Sequence, residues 1–380
     1  MGDAAEEHAT PARRMTPSQL LDIEPRRICV IKPSALGDVV QTLPLLPVLR
    51  ERFPDASVSW VIAEQLADLL RGHPHLNRII EFRRKNSWSA WKRLLSELRS
   101  ARFDLVFDLQ GLFRTGLMTL ATGAPVRVGL ETAREGSALA CNCVLPDTGR
   151  QVPAHLRYWR VAELLGKGDV LRESFAVTDE GNRLWAEQTL DGVRGPLLAI
   201  HPGARWITKR WPVESFAVIA ARATRTYGFS PIILGSAAER PRACQLEHLL
   251  KRFVPAARIW NLAGETTLRQ LAALLDRVDL LLTNDSGPMH LAAAHRTSVI
   301  GLFTCTSAVR SGPPGDRHEL VSTEVSCAAS YRKRCPHRGL AHMACLEELS
   351  TERVWQAFVR LIDRRRVPPR DTNPHKVRGA

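Results

Sequence analysis

Three short stretches of this 380-residue chain combine residue types that can move protons or hold anions. The first, Lys32-Pro33-Ser34-Ala35-Leu36-Gly37-Asp38, follows an apolar run and opens onto a helical pattern. Gly37 lets the backbone turn tightly, and Asp38 stands at the helix start, where unpaired amides favour a carboxylate. That placement suits a helix cap, and equally a general base that takes a proton from an attacking hydroxyl. The second stretch, His201 to Pro212, ends a strand on Gly203 and Ala204 and then carries Thr208 and Lys209. Its amides and its ammonium suit a diphosphate. A solvated basic loop is the plain alternative, which Trp206 and Trp211 make less comfortable because indoles seek burial. The third, Thr283 to His290, runs a strand through Asn284, Asp285 and Ser286 into a helix that opens on Gly287, Pro288 and Met289. It offers the Ser286, Gly287 and Met289 amides to an anion and Asp285 to sugar hydroxyls.

Together these stretches describe a cleft with a carboxylate on one side and a diphosphate cradle on the other. A metal-independent transfer of a sugar from a nucleotide diphosphate would be built in this way. No metal-ligand spacing lies among the three loops, and without a GxGxxG turn a nicotinamide or flavin site has no support. No cofactor is expected.

The elements that must position these loops alternate β-branched runs with amphipathic stretches, the pattern of parallel sheets covered by helices. Strands are expected at Arg27–Lys32, Ser57–Ala63, Arg78–Phe82 and Asp104–Gln110, with one helix from the first loop to Phe53 and a basic helix over Trp88–Arg102. Punctuation by Gly, Asp and Arg between Gly166 and Pro196 marks a boundary. Alternation then restarts with strands at Leu197–Gly203, Pro231–Gly235, Arg258–Leu262, Asp279–Asn284 and Ser298–Phe303, and a helix over Thr267–Arg277. The fold expected is α/β: two Rossmann-like domains facing a central cleft, over residues 25–180 and 181–363. A disordered lead-in (1–24) and a basic disordered tail (364–380) flank them. Ligands in such sheets sit beyond the carboxyl ends of the strands.

The formal net charge of +14 favours an anionic partner. Three patches carry it: Arg83–Arg102, Tyr331–Arg338 and the tail from Arg364, leaving a near-neutral body. Few aromatics interleave these patches, which argues against a nucleic-acid groove. No apolar run approaches the length of a membrane span, and the polar N-terminus lacks the apolar region of a secretory signal. Eight cysteines in a chain of this length do not read as a disulfide framework, so a reducing cytoplasm is expected. Cys327, Cys335 and Cys345, with His337 and His342, are irregularly spaced. A packed thiol cluster away from the cleft is the preferred reading over zinc.

Four segments in register, IKPSALGDVVQTLP, DLQGLFRTG, HPGARWITKRWP and TNDSGPMHLAAA, carry a specific resemblance. From about Arg27 to about Arg360 the chain resembles the ADP-heptose:lipopolysaccharide heptosyltransferases of glycosyltransferase family 9. The resemblance implies a GT-B fold and inverting, metal-independent transfer of a heptose onto the Kdo/heptose inner core. It implies Asp38 as catalytic base, Lys209 on the donor phosphates, Asp285 on the donor sugar and Ser286 to Met289 as the diphosphate-binding helix start, with His290 following. Glu239 resembles the ribose-binding acid, and Thr266 falls where the adenine edge is read. On the acceptor side, Arg83, Arg84, Lys85, Arg114 and Arg134 resemble basic residues facing an anionic lipid A/Kdo acceptor, chemistry that arginine suits. The segment TAREGS (132–137) is similar to members acting on Kdo, and the cysteine segment to members acting on heptose, with Ser330 where a cysteine is often found. Such an enzyme would work at the inner face of the cytoplasmic membrane, where a basic tail can meet anionic lipid. A nucleotide-sugar 2-epimerase on the same fold is the alternative, as is a family member using another nucleotide sugar or acceptor.

Overall fold

The computed structural model describes residues 14–83, 87–168, 178–193 and 195–366. Arg84, Lys85, the first part of the expected lead-in and the tail beyond residue 366 lie outside the described residues. Two compact units divide the chain between Asp179 and Glu180.

The first unit comprises β1 (Arg27–Ile31), α1 (Leu36–Thr42), α2 (Leu45–Arg52), β2 (Ser57–Ala63), α3 (Glu64–Ala67), β3 (Arg78–Phe82), α4 (Trp88–Ser100), β4 (Leu105–Asp108), α5 (Phe113–Thr122), β5 (Val126–Leu130), β6 (Cys143–Leu145) and α6 (Ala154–Leu164). The strands form one parallel sheet in the order β3-β2-β1-β4-β5-β6. Apart from Arg27, β1 is buried throughout, as a strand covered by helices on both faces must be. The single helix expected up to Phe53 is two helices, because Pro44 has no N–H to continue α1 and instead caps α2. β5 and β6 were absent from the pattern: one carries Arg127 and Gly129, and the other spans three residues. The end of the expected lead-in is ordered instead. Pro17–Asp22 forms a 3-10 turn that buries Leu20, and the Met15 N–H donates to the Asn142 carbonyl.

The second unit comprises α7 (Glu180–Thr189), β7 (Leu197–His201), α8 (Val213–Tyr227), β8 (Ser230–Ile233), α9 (Arg240–Phe253), β9 (Trp260–Asn261), α10 (Leu268–Arg277), β10 (Leu280–Asn284), α11 (Gly287–Ala294), β11 (Ser298–Phe303), α12 (Ala308–Ser311), β12 (His318–Ser322), α13 (Ala344–Glu348) and α14 (Thr351–Arg366). Its sheet is also parallel, in the order β12-β11-β10-β7-β8-β9. Read in chain order, both sheets have the same winding, 3-2-1-4-5-6. The helix α14 runs through Arg366, so the expected tail begins inside it, and Arg364 pairs with Glu319. β12 escaped the sequence pattern because HELVS is a half-buried edge strand rich in polar residues.

The winding decides where ligands can approach. Strand order reverses between β1 and β4 in the first unit, and between β7 and β10 in the second. There the loops leave in opposite directions and open a crevice. In the second unit Trp211 anchors the crevice wall. It is buried, meets Phe216 edge-to-face at 5.1 Å, and donates its indole N–H to the Leu349 carbonyl at 2.7 Å. Burying such a side chain contributes about 2–3 kcal/mol, enough to hold the preceding loop against the sheet.

Candidate active site

In the first unit the loop after β1 holds Asp38 in the first turn of α1. Its Oδ2 accepts the Ala35 N–H at 3.2 Å, and its Oδ1 accepts the Tyr158 hydroxyl, from α6, at 2.8 Å. Asp38 is therefore both a helix-capping group and a carboxylate oriented by a buried phenol. Lys32, at the end of β1, is buried, donates to the Leu109 carbonyl at 2.9 Å, and lies 4.7 Å from the Tyr158 ring centre. Burial lowers the Lys32 ammonium from its ordinary value, and Asp38 and Asp108 oppose that shift. Burial raises the Tyr158 phenol well above its ordinary value, and the neighbouring Asp38 charge adds to this.

Asp108 ends β4 and folds the next loop. Its Oδ1 accepts the Gln110 and Gly111 N–H groups, and its Oδ2 accepts the Thr115 hydroxyl at 3.0 Å. Burial still raises its carboxyl overall, against those bonds. The Arg134 N–H donates to the Gly111 carbonyl, and the Phe113 N–H to Glu135 Oε2. These bonds bring the Arg134 loop beside the turn that starts α5 with Arg114. The Arg134 charge acts on Lys32. Arg83, just past β3, is exposed and paired with Glu64 at 2.5 Å.

In the second unit the loop after β7 and the loop after β10 meet. Lys209 Nζ sits 2.6 Å from Asp285 Oδ2, with both side chains mostly buried. The same oxygen accepts the Thr306 hydroxyl at 2.6 Å, and the Lys209 ammonium lies 4.7 Å from the Trp206 ring centre. Asn284 stitches the two loops: its Nδ2 donates to the Pro202 and Gly203 carbonyls, and its Oδ1 accepts the Trp211 N–H. Ser286 stands at the N-cap position of α11 without a side-chain capping bond, and Pro288 lies in the first turn. The Met289 N–H donates to the Ser286 carbonyl at 3.2 Å, so it is spent inside the turn. Of the three amides expected to face an anion, those of Ser286 and Gly287 remain. The Met289 and His290 side chains are buried.

Glu239 closes the short turn after β8. Its Oε2 accepts the Ser236 N–H and hydroxyl, and lies 3.5 Å from His201 Nε2. Burial pushes this carboxyl up, but His201 and Ser236 together outweigh it and hold it down at about 2. A Cβ on Gly203 would overlap the Glu239 carboxylate, so only glycine admits this approach. Thr266 is half-buried in the loop after β9. The Gly264 N–H of that loop donates to the Gly235 carbonyl at 2.8 Å, which brings it against the Glu239 turn.

Thr208 is buried and its hydroxyl donates to the Arg332 carbonyl at 2.8 Å. The Tyr331 N–H donates to the Cys305 carbonyl at 2.7 Å, and the Ala329 N–H to the Thr304 carbonyl. The cysteine segment was expected away from the ligand loops; instead it packs directly on the loop of Thr208 and Lys209. Cys345 is buried, and burial with the neighbouring Cys327, Cys305 and Cys335 raises its thiol to about 11. All eight cysteines are free, and among the described residues no group of three or more His, Cys, Asp or Glu side chains is arranged to hold a metal ion.

Tyr158, Thr306 and Cys305 were not singled out in the sequence. Each meets its partner across a long stretch of chain, 120 residues for Tyr158 and Asp38, and no local pattern announces such a contact. His201 stood in a quoted segment with no role attached.

Two parallel sheets of identical winding, each with polar loops gathered at its switch point, define the GT-B class of glycosyltransferase folds. The solved structure of the Escherichia coli ADP-heptose lps heptosyltransferase II shares it with a TM-score of 0.72 at 23% identity, over 90% of this chain and 100% of that one. The family model for glycosyltransferase family 9 (heptosyltransferase) matches residues 91–341. The chain belongs to that family and is a glycosyltransferase. It is 29% identical over 307 residues to the lipopolysaccharide core heptosyltransferase OpsX of Haemophilus influenzae, covering 78% of this chain and 84% of that protein. It is also 29% identical over 332 residues to the lipopolysaccharide heptosyltransferase 1 of Pseudomonas aeruginosa, covering 82% and 88%. No helix among the described residues is long and apolar enough to cross a membrane.

Proposed function

We propose that this enzyme moves a heptose from ADP-heptose to the Kdo/heptose inner core of lipopolysaccharide, with inversion and without a metal. The observation that carries the reading is the buried Lys209–Asp285 pair beside the start of α11. An ammonium and two helix-end amides at a strand switch point are suited to a diphosphate leaving group.

On this reading the unit from Glu180 binds the donor and the unit up to Asp179 binds the acceptor. Lys209, Ser286 and Gly287 hold the diphosphate, with Gly203, Ala204 and Thr208 shaping the loop and Pro288, Met289 and His290 fixing the helix start. Glu239 accepts from the ribose, Thr266 meets the adenine edge, and Asp285 orients the heptose while holding Lys209 in place. Asp38 removes the proton from the acceptor hydroxyl. The hydroxyl oxygen forms its bond to the anomeric carbon, the bond from that carbon to the diphosphate breaks, and ADP departs with the electron pair. A single displacement inverts the centre. Asp285 is engaged by Lys209 and Thr306, which disfavours a second displacement with Asp285 as nucleophile. Arg83, Arg114 and Arg134, with Arg84 and Lys85, meet the carboxylates and phosphates of an anionic lipid A/Kdo acceptor. The basic tail would keep the enzyme peripheral at the inner face of the cytoplasmic membrane.

The test incubates purified enzyme with ADP-heptose, with and without Kdo-containing and heptose-containing lipid A precursors, in the presence of EDTA. Donor consumption that requires an acceptor, with a product of inverted anomeric configuration, is expected. Donor conversion without acceptor would replace this reading by a 2-epimerase, and loss of transfer in EDTA would overturn metal independence.

A further inference from the structure

The helix α5 is built inside out. Three of its five buried residues are threonines. Their hydroxyls are spent inward, Thr115 on Asp108, Thr119 on the Thr115 carbonyl and Thr122 on the Thr119 carbonyl. The large apolar side chains stand on the other side. Phe113 and Leu120 are 57% and 51% exposed, and Leu117, between them at helical spacing, is half-buried. A surface helix of a fold that meets only water turns its apolar stripe to the core. Here the outward stripe is the apolar one.

Two neighbours extend this face. The 3-10 turn Ser137–Ala140 packs on α5, with Ser137 so close to Gly116 that a Cβ there would meet it at 3.0 Å. That turn holds Leu139 out, 88% exposed. The helix α4 also packs on α5, and the Arg99 guanidinium lies against Gly123 at its end. Trp88 opens α4 and is 70% exposed, with the Lys92 ammonium 5.7 Å from its ring centre. Both helices return from strand ends of one parallel sheet, so Trp88 and Phe113 stand at its carboxyl edge, as Asp38 does. The surroundings are basic. Lys92, Arg93, Arg99 and Arg102 are exposed, and the one acidic residue among them, Glu97, is paired with Arg78 at 2.7 Å. Arg134 is exposed near the turn, and the opposing charge there is Glu135, which accepts the Phe113 N–H.

Charge chooses the occupant of this face. A second copy of the chain would bring the same cations together. An anionic lipid surface offers the opposite charge, with hydrocarbon beneath its headgroups for the leucines and an interface that suits indole and phenyl rings. We propose that α5, the turn Ser137–Ala140 and the start of α4 form a membrane-docking surface. Phe113, Leu120 and Leu139 enter the headgroup layer of an anionic leaflet, Trp88 lies at its level, and the α4 cations meet the lipid phosphates. The inference rests on the reading of the acceptor as a membrane lipid and deepens it, because it assigns the contact to the first unit rather than to the basic tail alone. The leaflet then meets the unit beside the loops of Arg114 and Arg134, so a lipid acceptor can reach them while its acyl chains stay in the bilayer.

The test is co-sedimentation of the full-length enzyme with vesicles of mixed phosphatidylcholine and phosphatidylglycerol, and with vesicles of phosphatidylcholine alone. The enzyme should bind the anionic vesicles, less so at high salt, and the neutral ones more weakly. The double variant Phe113→Ser/Leu139→Ser should bind anionic vesicles roughly tenfold or more weakly, although its tail is intact. Its transfer to a vesicle-embedded acceptor should fall to a similar degree, while transfer to a deacylated, water-soluble acceptor stays unchanged. Vesicle binding equal in variant and wild type would overturn the inference, as would a wild type that stays off anionic vesicles. A wild-type dimer in sedimentation velocity that the variant abolishes would also overturn it and assign the face to a second copy. Wild-type transfer to neither acceptor, with vesicle binding still lost in the variant, would instead overturn the proposed function and support the surface. If the double variant does not fold, Lys92→Glu/Arg93→Glu decides, since both side chains are exposed. It should bind anionic vesicles no better than neutral ones, and a retained anionic preference would overturn the inference.

Discussion

Replacing Glu239 by glutamine removes one charge and almost no volume, so its effect can be worked from the environment of the carboxylate. The group falls from 4.5 to about 2, because His201 and Ser236 outweigh the cost of its burial. A shift of that size corresponds to about 3 kcal/mol of stabilisation. Since the folded-state value lies below the unfolded one, the contribution is complete well above pH 4.5 and disappears as the pH falls towards 2. Glutamine still offers an oxygen to Ser236, so Glu239→Gln should cost about 2–3 kcal/mol at pH 7. For a unit of about 200 residues this lowers its Tm by about 4–12 °C. The gap between variant and wild type should narrow by about 1 kcal/mol at pH 4. Thermal unfolding followed by circular dichroism at pH 7, 5 and 4 reads both quantities. A variant melting within 1 °C of wild type at pH 7, or a gap as wide at pH 4 as at pH 7, would refute the reasoning.

Lys209→Met leaves the Asp285 carboxylate buried with Thr306 as its remaining side-chain partner. It should cost about 3–5 kcal/mol in urea unfolding and weaken ADP binding in calorimetry; adding Asp285→Asn should recover part of the stability but not the binding. Asp38→Asn should reduce turnover by about 10²–10⁴-fold while ADP affinity stays within about twofold, and normal turnover would remove Asp38 as the base. Tyr158→Phe deletes the hydroxyl that orients the Asp38 carboxylate, so kcat should fall while ADP affinity measured by calorimetry is unchanged. Gly264→Ala places a side chain on a backbone at φ +79°, 2.8 Å from the Ala237 Cα. It should cost about 1–3 kcal/mol and raise the donor KM, measured by thermal unfolding and initial rates.

What the sequence made legible was what short-range pattern encodes. Strands Ser57–Ala63 and Ser298–Phe303 have the expected ends, because apolar runs buried on both faces leave little ambiguity; Arg78–Phe82 has them too, although it is an edge strand that exposes Arg78 and Glu81. β6 and β12 were not legible, since three residues or a polar edge give no period to detect. In the candidate site, the loops and their Asp, Lys and Gly residues were visible from strand-to-helix transitions. Their pairings were not. Nothing near Lys209 says that its ammonium is held by Asp285, and nothing near Asp38 announces Tyr158. The same holds for the cysteine segment, whose attachment to Thr208 is made by backbone carbonyls and carries no residue-type signal.

That attachment has a consequence for the order in which the enzyme is made. The Thr208 hydroxyl is held by a carbonyl 124 residues further along the chain, and the Cys305 carbonyl by the Tyr331 N–H. On the ribosome, the strands of the second sheet can emerge and pair while the loop of Lys209 still lacks its fastening. On the proposed reading, donor binding would therefore wait until Tyr331 and Arg332 have emerged, and a chain interrupted before Tyr331 would carry the sheet without this fastening of the Lys209 loop.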